Sequence, residues 1–582
     1  MAPETTEVKQ RQKATTHSNG QSGPGSLTGA EILVKTLLDL DVDTIFGYPG
    51  GAVLGIYDTL FQHPELKHIL IRHEQGGTHA ADGYARAKGK PGVVLVTSGP
   101  GGTNTVTGIA TANMDSIPMV VFTGQVASGM IGNDAFQEAD IIGITRPITK
   151  HSYLVKDVND LEESIREAFH IASTGRPGPV LVDLPKDMVM SKGVYTGKRE
   201  VSIPGYKPVI RGHNSQIAKA AEILSKAKRP LIYAGGGVLL SDAAAELTAL
   251  AEKTNIPVTT TLMGLGGFPE GKPQSLGMLG MHGTWYANMA MTECDVLLAV
   301  GARFDDRVTG RLDGFSPNSR KIHIDIDPSC ISKNVEVEVP IVGDAKLVLP
   351  ELTQMMKKPS VDQWWKTLIT WKKEHPLKVP ESNEVIYPQR LIEQISEVTH
   401  GEAIMVADVG QHQMWLAQHY QFNHPRSMLS SGGLGTMGYG FPAAMGAALG
   451  CPDRTVFCVT GDGGFQMTAF ELATAVENKV PVKIAIMNNG YLGMVRQWQE
   501  LFFEKRYSHS VLHQSNPDFV KLAESYGATG FRVKTPDEVM PTLKKAMEIN
   551  NGPVVMDFLV APEENCYPMV PAGAALNEMV EG

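Results

Sequence analysis

Two short apolar runs, at residues 456–465 and 482–489, limit what this chain can fold into. Each begins with β-branched and other apolar residues and ends in Gly, Asp or Asn, which is typical of a buried strand followed by a loop. Asp462 and Asn489 in these loops are 27 residues apart, enough for one strand–helix–strand unit. Ligands of open parallel α/β sheets bind beyond the carboxyl ends of the strands, so both loops are expected to face one site.

The two loops carry residue types that bind a metal ion and a diphosphate. Asp462 and Asn489 offer hard oxygen ligands, which suit Mg²⁺ held jointly by protein and phosphate oxygens. Gly461, Gly463 and Gly464 have no Cβ, so the backbone can approach a diphosphate closely. A tight turn and a polar loop would explain either motif alone, but two strands at the right spacing favour a binding site.

Length and composition indicate a large globular protein of several domains. At 582 residues the chain has room for three or four domains of about 150 residues each. Its net charge of −10 argues against a surface for nucleic acid or anionic membrane. The five cysteines contain no C-x-x-C pair, which favours free thiols in a reducing compartment over disulfides or a zinc site.

The sequence predicts neither a membrane span nor a targeting signal. No apolar stretch of about 18 residues is uninterrupted, so no transmembrane helix is expected. Residues 1–27 are polar and Gly-rich without a hydrophobic segment, and we predict a disordered tail. A cytoplasmic protein follows from these observations, with an organelle as the alternative.

Helical and strand patterns alternate through three blocks, which predicts three α/β domains, each with a doubly wound parallel sheet. The predicted domains span residues 28–195, 208–358 and 386–562, and a C-terminal arm spans 563–582. Residues 30–40 are predicted as a helix, and segments 193–208 and 357–387 separate the blocks. The predicted strands are residues 44–46, 93–97, 119–123, 180–183, 231–234, 258–261, 296–300, 321–325, 404–408, 456–460, 482–487 and 554–559.

The Gly-Asp-Gly and Asn-Asn pattern resembles the binding motif of thiamine diphosphate (ThDP). The resemblance implies that Asp462, Asn489 and the backbone carbonyl of Tyr491 hold the metal ion. ThDP chemistry also needs an acid that protonates the aminopyrimidine ring. Glu74 follows an apolar run at residues 69–71, so we expect it at a strand end, where a largely desolvated carboxyl could share that proton. An ordinary acid in the first turn of a helix is the simpler explanation of the same position.

Further motifs resemble the acetohydroxyacid synthase (acetolactate synthase) catalytic subunits, from about residue 27 to the C-terminus. They lie at residues 47–52, 97–104, 134–138, 301–308, 410–415 and 494–498. The resemblance implies ThDP, Mg²⁺ and FAD as cofactors, with pyrimidine-binding, FAD-binding and diphosphate-binding domains in that order. It also implies a transferase that decarboxylates pyruvate and condenses the hydroxyethyl group with a second pyruvate or 2-ketobutyrate. The products would be acetolactate or acetohydroxybutyrate, in branched-chain amino acid biosynthesis.

The resemblance assigns individual residues. Trp498 would shape the pocket for the second substrate, and Met437 would pack beneath the cofactor as an apolar wedge. The implied catalytic residues are Glu74, Gln137, Phe136, Lys186 and Trp498. The implied ThDP contacts are Pro49, Glu74, Val409, Gly410, Gln411, His412, Gly435, Met437, Gly461, Asp462, Gly463, Gly464, Asn489, Tyr491, Leu492, Gly493 and Met494.

FAD is implied by the resemblance more than by any motif. The three glycines after the strand at 231–234 form no G-x-G-x-x-G, so their spacing alone is weak evidence for a dinucleotide. Asp325, at a predicted strand end, could accept a hydrogen bond from ribose or adenine. The implied FAD contacts are Arg176, Gly235, Gly236, Gly237, Thr261, Leu262, Met281, His282, Gly301, Arg303, Asp325 and Asp344.

Several alternatives stay open at this point. A pyruvate oxidase would use the flavin as electron acceptor, whereas a synthase has no redox step. Glyoxylate carboligase lacks the glutamate that is present here as Glu74, and no His-His pair typical of pyruvate decarboxylases is found. A non-catalytic ThDP-fold protein is disfavoured by the intact Glu74, Asp462 and Asn489.

The resemblance also implies partners. Members of the family form dimers with the cofactor between the first block of one subunit and the third block of another, so a homodimer or homotetramer is expected. A small regulatory subunit and a C-terminal arm that closes as a lid are implied in the same way.

Overall fold

The structure, a computed structural model, describes residues 26–197 and 200–582. The predicted disordered tail lies outside the described residues, apart from Ser26 and Leu27, where the prediction is wrong because both residues form a strand that pairs with residues 193–194. Three six-stranded sheets, each with all neighbouring strands parallel, confirm the predicted α/β architecture. Among the described residues, no helix is long and apolar enough to cross a membrane.

The first domain contains one parallel sheet and a small antiparallel pair. The sheet has the strand order β3-β2-β4-β5-β7-β6, and β1 pairs with β8. The strands are β1 (Ser26–Thr28), β2 (Thr44–Tyr48), β3 (Lys67–Leu70), β4 (Gly92–Val96), β5 (Met119–Gln125), β6 (His151–Leu154), β7 (Pro179–Pro185) and β8 (Lys192–Val194). The helices are α1 (Gly29–Asp39), α2 (Leu54–Phe61), α3 (Glu74–Lys88), α4 (Pro100–Thr103), α5 (Val106–Asp115), α6 (Ile141–Thr145), α7 (Leu161–Ser173) and α8 (Lys186–Met190).

The middle domain has the strand order β11-β10-β9-β12-β13-β14. Its strands are β9 (Pro230–Ala234), β10 (Val258–Thr260), β11 (Ser275–Met278), β12 (Val296–Val300), β13 (Arg320–Asp325) and β14 (Val339–Val342). Its helices are α9 (Asn214–Lys226), α10 (Gly237–Leu240), α11 (Ala244–Thr254), α12 (Trp285–Glu293), α13 (Asp306–Thr309), α14 (Ala345–Met355) and α15 (Asp362–Glu374).

The third domain has the strand order β16-β15-β17-β18-β20-β19. Its strands are β15 (Ile404–Ala407), β16 (Met428–Ser430), β17 (Val456–Gly461), β18 (Lys483–Asn488), β19 (Thr529–Val533) and β20 (Val554–Leu559). Its helices are α16 (Pro388–Thr399), α17 (Gln411–His419), α18 (Gly440–Gly450), α19 (Asp462–Gln466), α20 (Leu472–Glu477), α21 (Gly493–Phe502), α22 (Phe519–Ser525) and α23 (Pro536–Glu548).

The first and third domains share one hydrophobic core. In β4, Val94 and Val96 point into this shared core, whereas Val93 and Leu95 point into a core on the opposite face of the sheet. The shared core also takes in Ile484 of β18. Strands buried on both faces need continuous apolar runs, which explains why these strands stand out in the sequence.

Helices α3 and α18 join the two domains. A Cβ on Gly83 of α3 would overlap with the carbonyl of Ala443, and a Cβ on Gly446 of α18 would overlap with the carbonyl of Ala80. The Tyr439 hydroxyl beside α18 donates a 2.6 Å hydrogen bond to Oδ1 of Asp82 within α3. Because each helix has a glycine where the other approaches, the two backbones come into direct contact.

Local details differ from the sequence predictions at three places. Glu74 does not lie at a strand end, because β3 stops at Leu70 and Glu74 is the first residue of α3. The segment 193–208 begins within a strand, β8, rather than as a linker. The segment 357–387 contains helix α15, whose Trp364 is buried against the middle domain. All five cysteines lie within the described residues and are free thiols, as predicted.

The C-terminal arm is docked by buried polar side chains of α21. Gln497 accepts a hydrogen bond from the backbone N–H of Cys566 (2.9 Å) and donates one to its carbonyl (3.1 Å). The guanidinium of Arg496, which is buried, donates to the carbonyl of Glu563 at 3.0 Å. The arm therefore packs on the helix that follows the Asn489 loop.

Candidate active site

The loops at the carboxyl ends of β15, β17 and β18 enclose one cavity, here called the third-sheet cavity. Its lining contains Met437, before α18, and three groups of residues at or after the ends of these strands: 409–412, 461–464, and 489 with 491–494. The two loops that the sequence singled out therefore face one site. Every proposed ThDP contact lines this cavity except Pro49, Glu74 and Gly435.

Asp462 and Asn489 place oxygen atoms at this cavity. Asp462 is buried, and its Oδ2 accepts hydrogen bonds from the backbone N–H of Gly490 (3.1 Å) and from the side chain of Asn516 (2.6 Å). Burial raises the pKa of Asp462 to about 6. Oδ1 of Asn489 accepts a hydrogen bond from the backbone N–H of Tyr491 at 3.0 Å, which holds the amide in place.

These donors suit a cation that is shared with a ligand rather than one bound by side chains alone. Nowhere in the described part of the chain do three His, Cys, Asp or Glu side chains gather as a metal site. One carboxylate, one amide oxygen and a backbone carbonyl leave coordination positions for phosphate oxygens and water, as Mg²⁺ requires.

The walls of the third-sheet cavity also fit a diphosphate. A Cβ on Gly493 would overlap with the end of the Gln411 side chain, and a Cβ on Gly463 would lie 2.9 Å from the end of the Leu492 side chain, so glycine lets both loops approach without displacing these side chains. Burial lowers the pKa of His412 to about 4, so its imidazole is neutral at pH 7. Its buried Nε2 has no hydrogen-bond partner among the described residues, which leaves a polar atom available to a ligand.

A larger cavity of about 910 Å³, here called the central cavity, lies where all three domains meet. The cavity lies where the strand order of the middle sheet reverses, between β9 and β12, which is where dinucleotides bind in doubly wound folds. A Cβ on Gly235 would overlap with the Gly301 carbonyl, so the loops after these two strands approach closely. All twelve proposed FAD contacts line this cavity.

The two cavities share part of their lining. Val409, Gly410, Met437 and Met494 line both of them, while Gly435 and Trp498 line the central cavity only. The proposed cofactor wedge therefore lies at the junction, and the proposed specificity residue lies beyond it on the side of the central cavity.

Arg307 is a cation of the central cavity that the sequence analysis did not single out. It lies in α13, and its ion pair with Asp306 is long, at 4.0 Å, and exposed. By comparison, Arg303 pairs with Asp305 at 3.0 Å and Arg176 with Asp327 at 3.3 Å. Arg307 is part of the motif at residues 301–308, and its sequence signal was its charge in a loop after a central strand.

The proposed acid lies at a different edge, among loops at the carboxyl ends of the first sheet. Oε2 of Glu74 accepts a 2.9 Å hydrogen bond from the side-chain amide of Asn104. A Cβ on Gly99 would lie 2.8 Å from the carbonyl of Gln137, so the Gln137 loop packs on the loop after β4. Asn104 also went unrecognised as a functional residue, although it ends one of the motifs.

Five proposed site residues do not line either cavity. Phe136 is 88% exposed, and Pro49 and Lys186 are exposed as well. Glu74 and Gln137 are half-buried within the first domain. The proposed site residues therefore fall into two separate groups, one around Glu74 in the first domain and one around Asp462 and Asn489 in the third.

Comparisons with known proteins find similarity over nearly the whole chain. Three family models match, namely the N-terminal TPP binding domain (residues 27–144), the central domain (217–352) and the C-terminal TPP binding domain (408–558) of thiamine pyrophosphate enzymes. The chain is 52% identical to the acetolactate synthase large subunit of Buchnera aphidicola subsp. Schizaphis graminum, over 95% of this chain and 98% of that protein.

Two further relatives give the same result. The acetolactate synthase large subunit of Haemophilus influenzae is 50% identical, and the isozyme 3 large subunit of Escherichia coli is 49% identical. Each alignment covers 95% of this chain and 98% of the relative.

Proposed function

Because this chain belongs to the acetolactate synthase family of thiamine pyrophosphate enzymes, we propose that it decarboxylates pyruvate and transfers the resulting two-carbon unit to a second 2-keto acid. Pyruvate as acceptor gives acetolactate, and 2-ketobutyrate gives acetohydroxybutyrate. The observation that supports this best is the third-sheet cavity, where Asp462, Asn489 and the flanking glycines converge and open toward Trp498.

The cofactor set includes Mg²⁺ and FAD. Asp462, Asn489 and the Tyr491 carbonyl would hold Mg²⁺, which would neutralise the charge of the ThDP diphosphate, in line with the oxygen donors described above. When bound, ThDP supplies a thiazolium ring that accepts the electron pair released as CO₂ leaves. FAD occupies the central cavity and, since the overall reaction has no redox step, serves as a structural group.

Three side chains act on protons and substrates. Asn104 engages Oε2 of Glu74, which leaves Oε1 to share a proton with a ring nitrogen of the aminopyrimidine. The guanidinium of Arg307 binds the carboxylate of the 2-keto acid, because a cation in a partly enclosed cavity attracts an anionic substrate. Trp498 contacts the methyl or ethyl group of the acceptor.

The complete site requires a second copy of the chain. Glu74 serves the third-sheet cavity of the partner, because within its own chain Glu74 does not line that cavity. Apolar side chains exposed near these edges, including Phe136 of the first domain and Met467 of the third, support such an interface. The relatives are named large subunits, and a small regulatory subunit is proposed on that ground.

Product analysis under nitrogen tests the activity. Pyruvate is incubated with the chain, ThDP, Mg²⁺ and FAD, and a second reaction contains 2-ketobutyrate as well. Acetolactate in the first, acetohydroxybutyrate in the second, and a flavin that stays oxidised are the expected results. Acetate or acetyl phosphate with a bleached flavin would show a pyruvate oxidase instead.

Mixed subunits test the two-copy site. Glu74→Gln and Asp462→Asn chains are combined, and each variant alone is assayed in parallel at the same limiting concentration of ThDP and Mg²⁺. A random mixture of dimers restores about a quarter of wild-type activity, because half of the dimers are hybrids with one intact site. If the site lay within one chain, the mixture would show no more activity than the two variants alone.

A further inference from the structure

Glu471 belongs to the third domain, between α19 and α20, but its carboxylate binds the backbone of the first domain. The side chain is fully buried. Its Oε1 accepts hydrogen bonds from the backbone N–H groups of Arg72 (3.0 Å) and His73 (3.1 Å). Because these two residues immediately precede Glu74, the carboxylate holds the chain at the point where α3 begins.

The residues around Glu471 accommodate its carboxylate and satisfy its hydrogen bonds. Its Oε2 accepts a 2.7 Å hydrogen bond from the hydroxyl of Thr474, so both oxygens are engaged. A Cβ on Gly76 would overlap with Oε1, so the first turn of α3 leaves room for the carboxylate only because glycine stands there. The side chain of Arg72 turns away to the exposed Glu477, at 2.7 Å. Backbone amides and a hydroxyl, rather than an ion pair, therefore satisfy the buried carboxylate.

We propose that Glu471 is a positioning residue for Glu74, which it orients through the backbone of Arg72 and His73. The proposal rests on the proton-transfer role proposed above for Glu74. Proton sharing needs a heavy-atom separation of about 2.6–3.2 Å, and a misplacement of about 1 Å can cost about 100-fold in rate. The stretch from Asp462 to Glu471 thus carries a proposed metal ligand at one end and the anchor of Glu74 at the other.

The first measurement needs no cofactor. Hydrogen–deuterium exchange at the amides of Arg72 and His73 is measured in the full-length wild type and in Glu471→Ala. Both amides are expected to exchange faster in Glu471→Ala, because they lose their acceptor. Glu477→Ala is the matched control, since Glu477 binds the side chain of Arg72 rather than its backbone, and its loss should leave both amides as protected as before.

The second measurement reports on Glu74. The rate at which bound ThDP exchanges its thiazolium C2 proton for deuterium is followed by NMR, with Glu477→Ala again as control. Glu471→Ala should slow this exchange by about 100-fold, while the affinity for ThDP stays within about threefold because the third-sheet cavity is unchanged. Glu471→Gln should recover most of the rate, since its amide oxygen can still accept from both backbone N–H groups.

The outcomes separate this proposal from the role of Glu74. A wild-type rate of C2 exchange in Glu471→Ala would overturn the positioning role, even if the two amides lost protection. A wild-type rate in Glu74→Gln would instead overturn the proposed function of Glu74 itself. Should Glu471→Ala fail to fold, Glu471→Asp withdraws the carboxylate by one methylene, and a wild-type rate in that variant would overturn the proposal as well.

Discussion

The first and third domains have the same strand order but carry different functional side chains beyond their strand ends. Counted within each parallel sheet, both follow the order 2-1-3-4-6-5, and α3 and α18 each follow the second of these strands. The loops of the third sheet carry Asp462 and Asn489, whereas those of the first carry Glu74 and its partner Asn104. One scaffold therefore carries the proposed cofactor ligands in one copy and the proposed proton donor in the other, because functional residues lie beyond the strand ends rather than in the sheet itself.

The middle domain shows what a different strand order changes. Its order is 3-2-1-4-5-6, with the reversal between β9 and β12, and its large cavity opens at that reversal. The first and third sheets instead use helices α3 and α18 to pack on each other.

The contrast between the first sheet, which carries Glu74, and the third sheet, which carries Asp462 and Asn489, can be tested with four variants.

Glu74→Gln should have the largest effect, because it removes the proton donor from the first sheet. Turnover is expected to fall about 1,000-fold, the range of general acid–base catalysis, while ThDP and Mg²⁺ bind as before. Steady-state acetolactate formation and a ThDP titration measure the two quantities. Glu65→Gln, an exposed acid of the same domain, is the control. Near-normal turnover in Glu74→Gln would remove the chemical distinction between the two sheets.

Asp462→Asn should weaken the binding of Mg²⁺ and ThDP rather than slow the chemical step. The apparent affinity for Mg²⁺ and ThDP is expected to fall about 100-fold, and turnover should recover at saturating cofactor because Glu74 is intact. Cofactor titrations of activity measure this, with Asp453→Asn, an exposed acid before β17, as control. A loss of turnover that saturation does not restore would contradict the assignment of Asp462 to cofactor holding alone.

Gly83→Ala tests the contact that joins the two sheets. The added Cβ overlaps with the carbonyl of Ala443, and separating the backbones of α3 and α18 should cost about 2 kcal/mol. Thermal unfolding is expected at a lower temperature than in the wild type. Gly51→Ala is the control, because no described atom outside its immediate neighbours lies within 4 Å of that Cβ. Equal unfolding temperatures for both variants would show that α3 and α18 accommodate the added Cβ without a loss of stability, which would contradict the prediction.

Trp498→Leu should have the smallest effect, because it changes only contacts with the acceptor. The preference for 2-ketobutyrate over pyruvate is expected to change by about tenfold, as the loss of a methylene contact implies. Competition between the two acceptors measures the ratio. Phe502→Leu, an exposed residue at the end of the same helix, is the control, and an unchanged ratio in Trp498→Leu would place specificity elsewhere.

The sequence pattern predicts the four central strands of every sheet but misses nearly all the edge strands. Central strands are covered on both faces and read as apolar runs, as in β4, β12 and β17. Edge strands are short or polar; β14 even contains Pro340, which an edge tolerates because it need not donate to a neighbour on its free side. The edges are β3, β6, β11, β14, β16 and β19, of which only the apolar end of β3 was noticed.

The sequence by itself determined the local features: the buried strands, the Gly, Asp and Asn loops at their carboxyl ends, and the cofactor motif. Strand periodicity and turn-forming residues are patterns of a few neighbouring residues, so they can be recognised without a structure. Only the tertiary structure decided that Glu74 begins a helix away from Asp462, and that Glu471 binds the amide of Arg72, 399 residues earlier. Such contacts arise from the packing of whole domains, because no local pattern distinguishes Glu471 from a solvent-exposed helical glutamate.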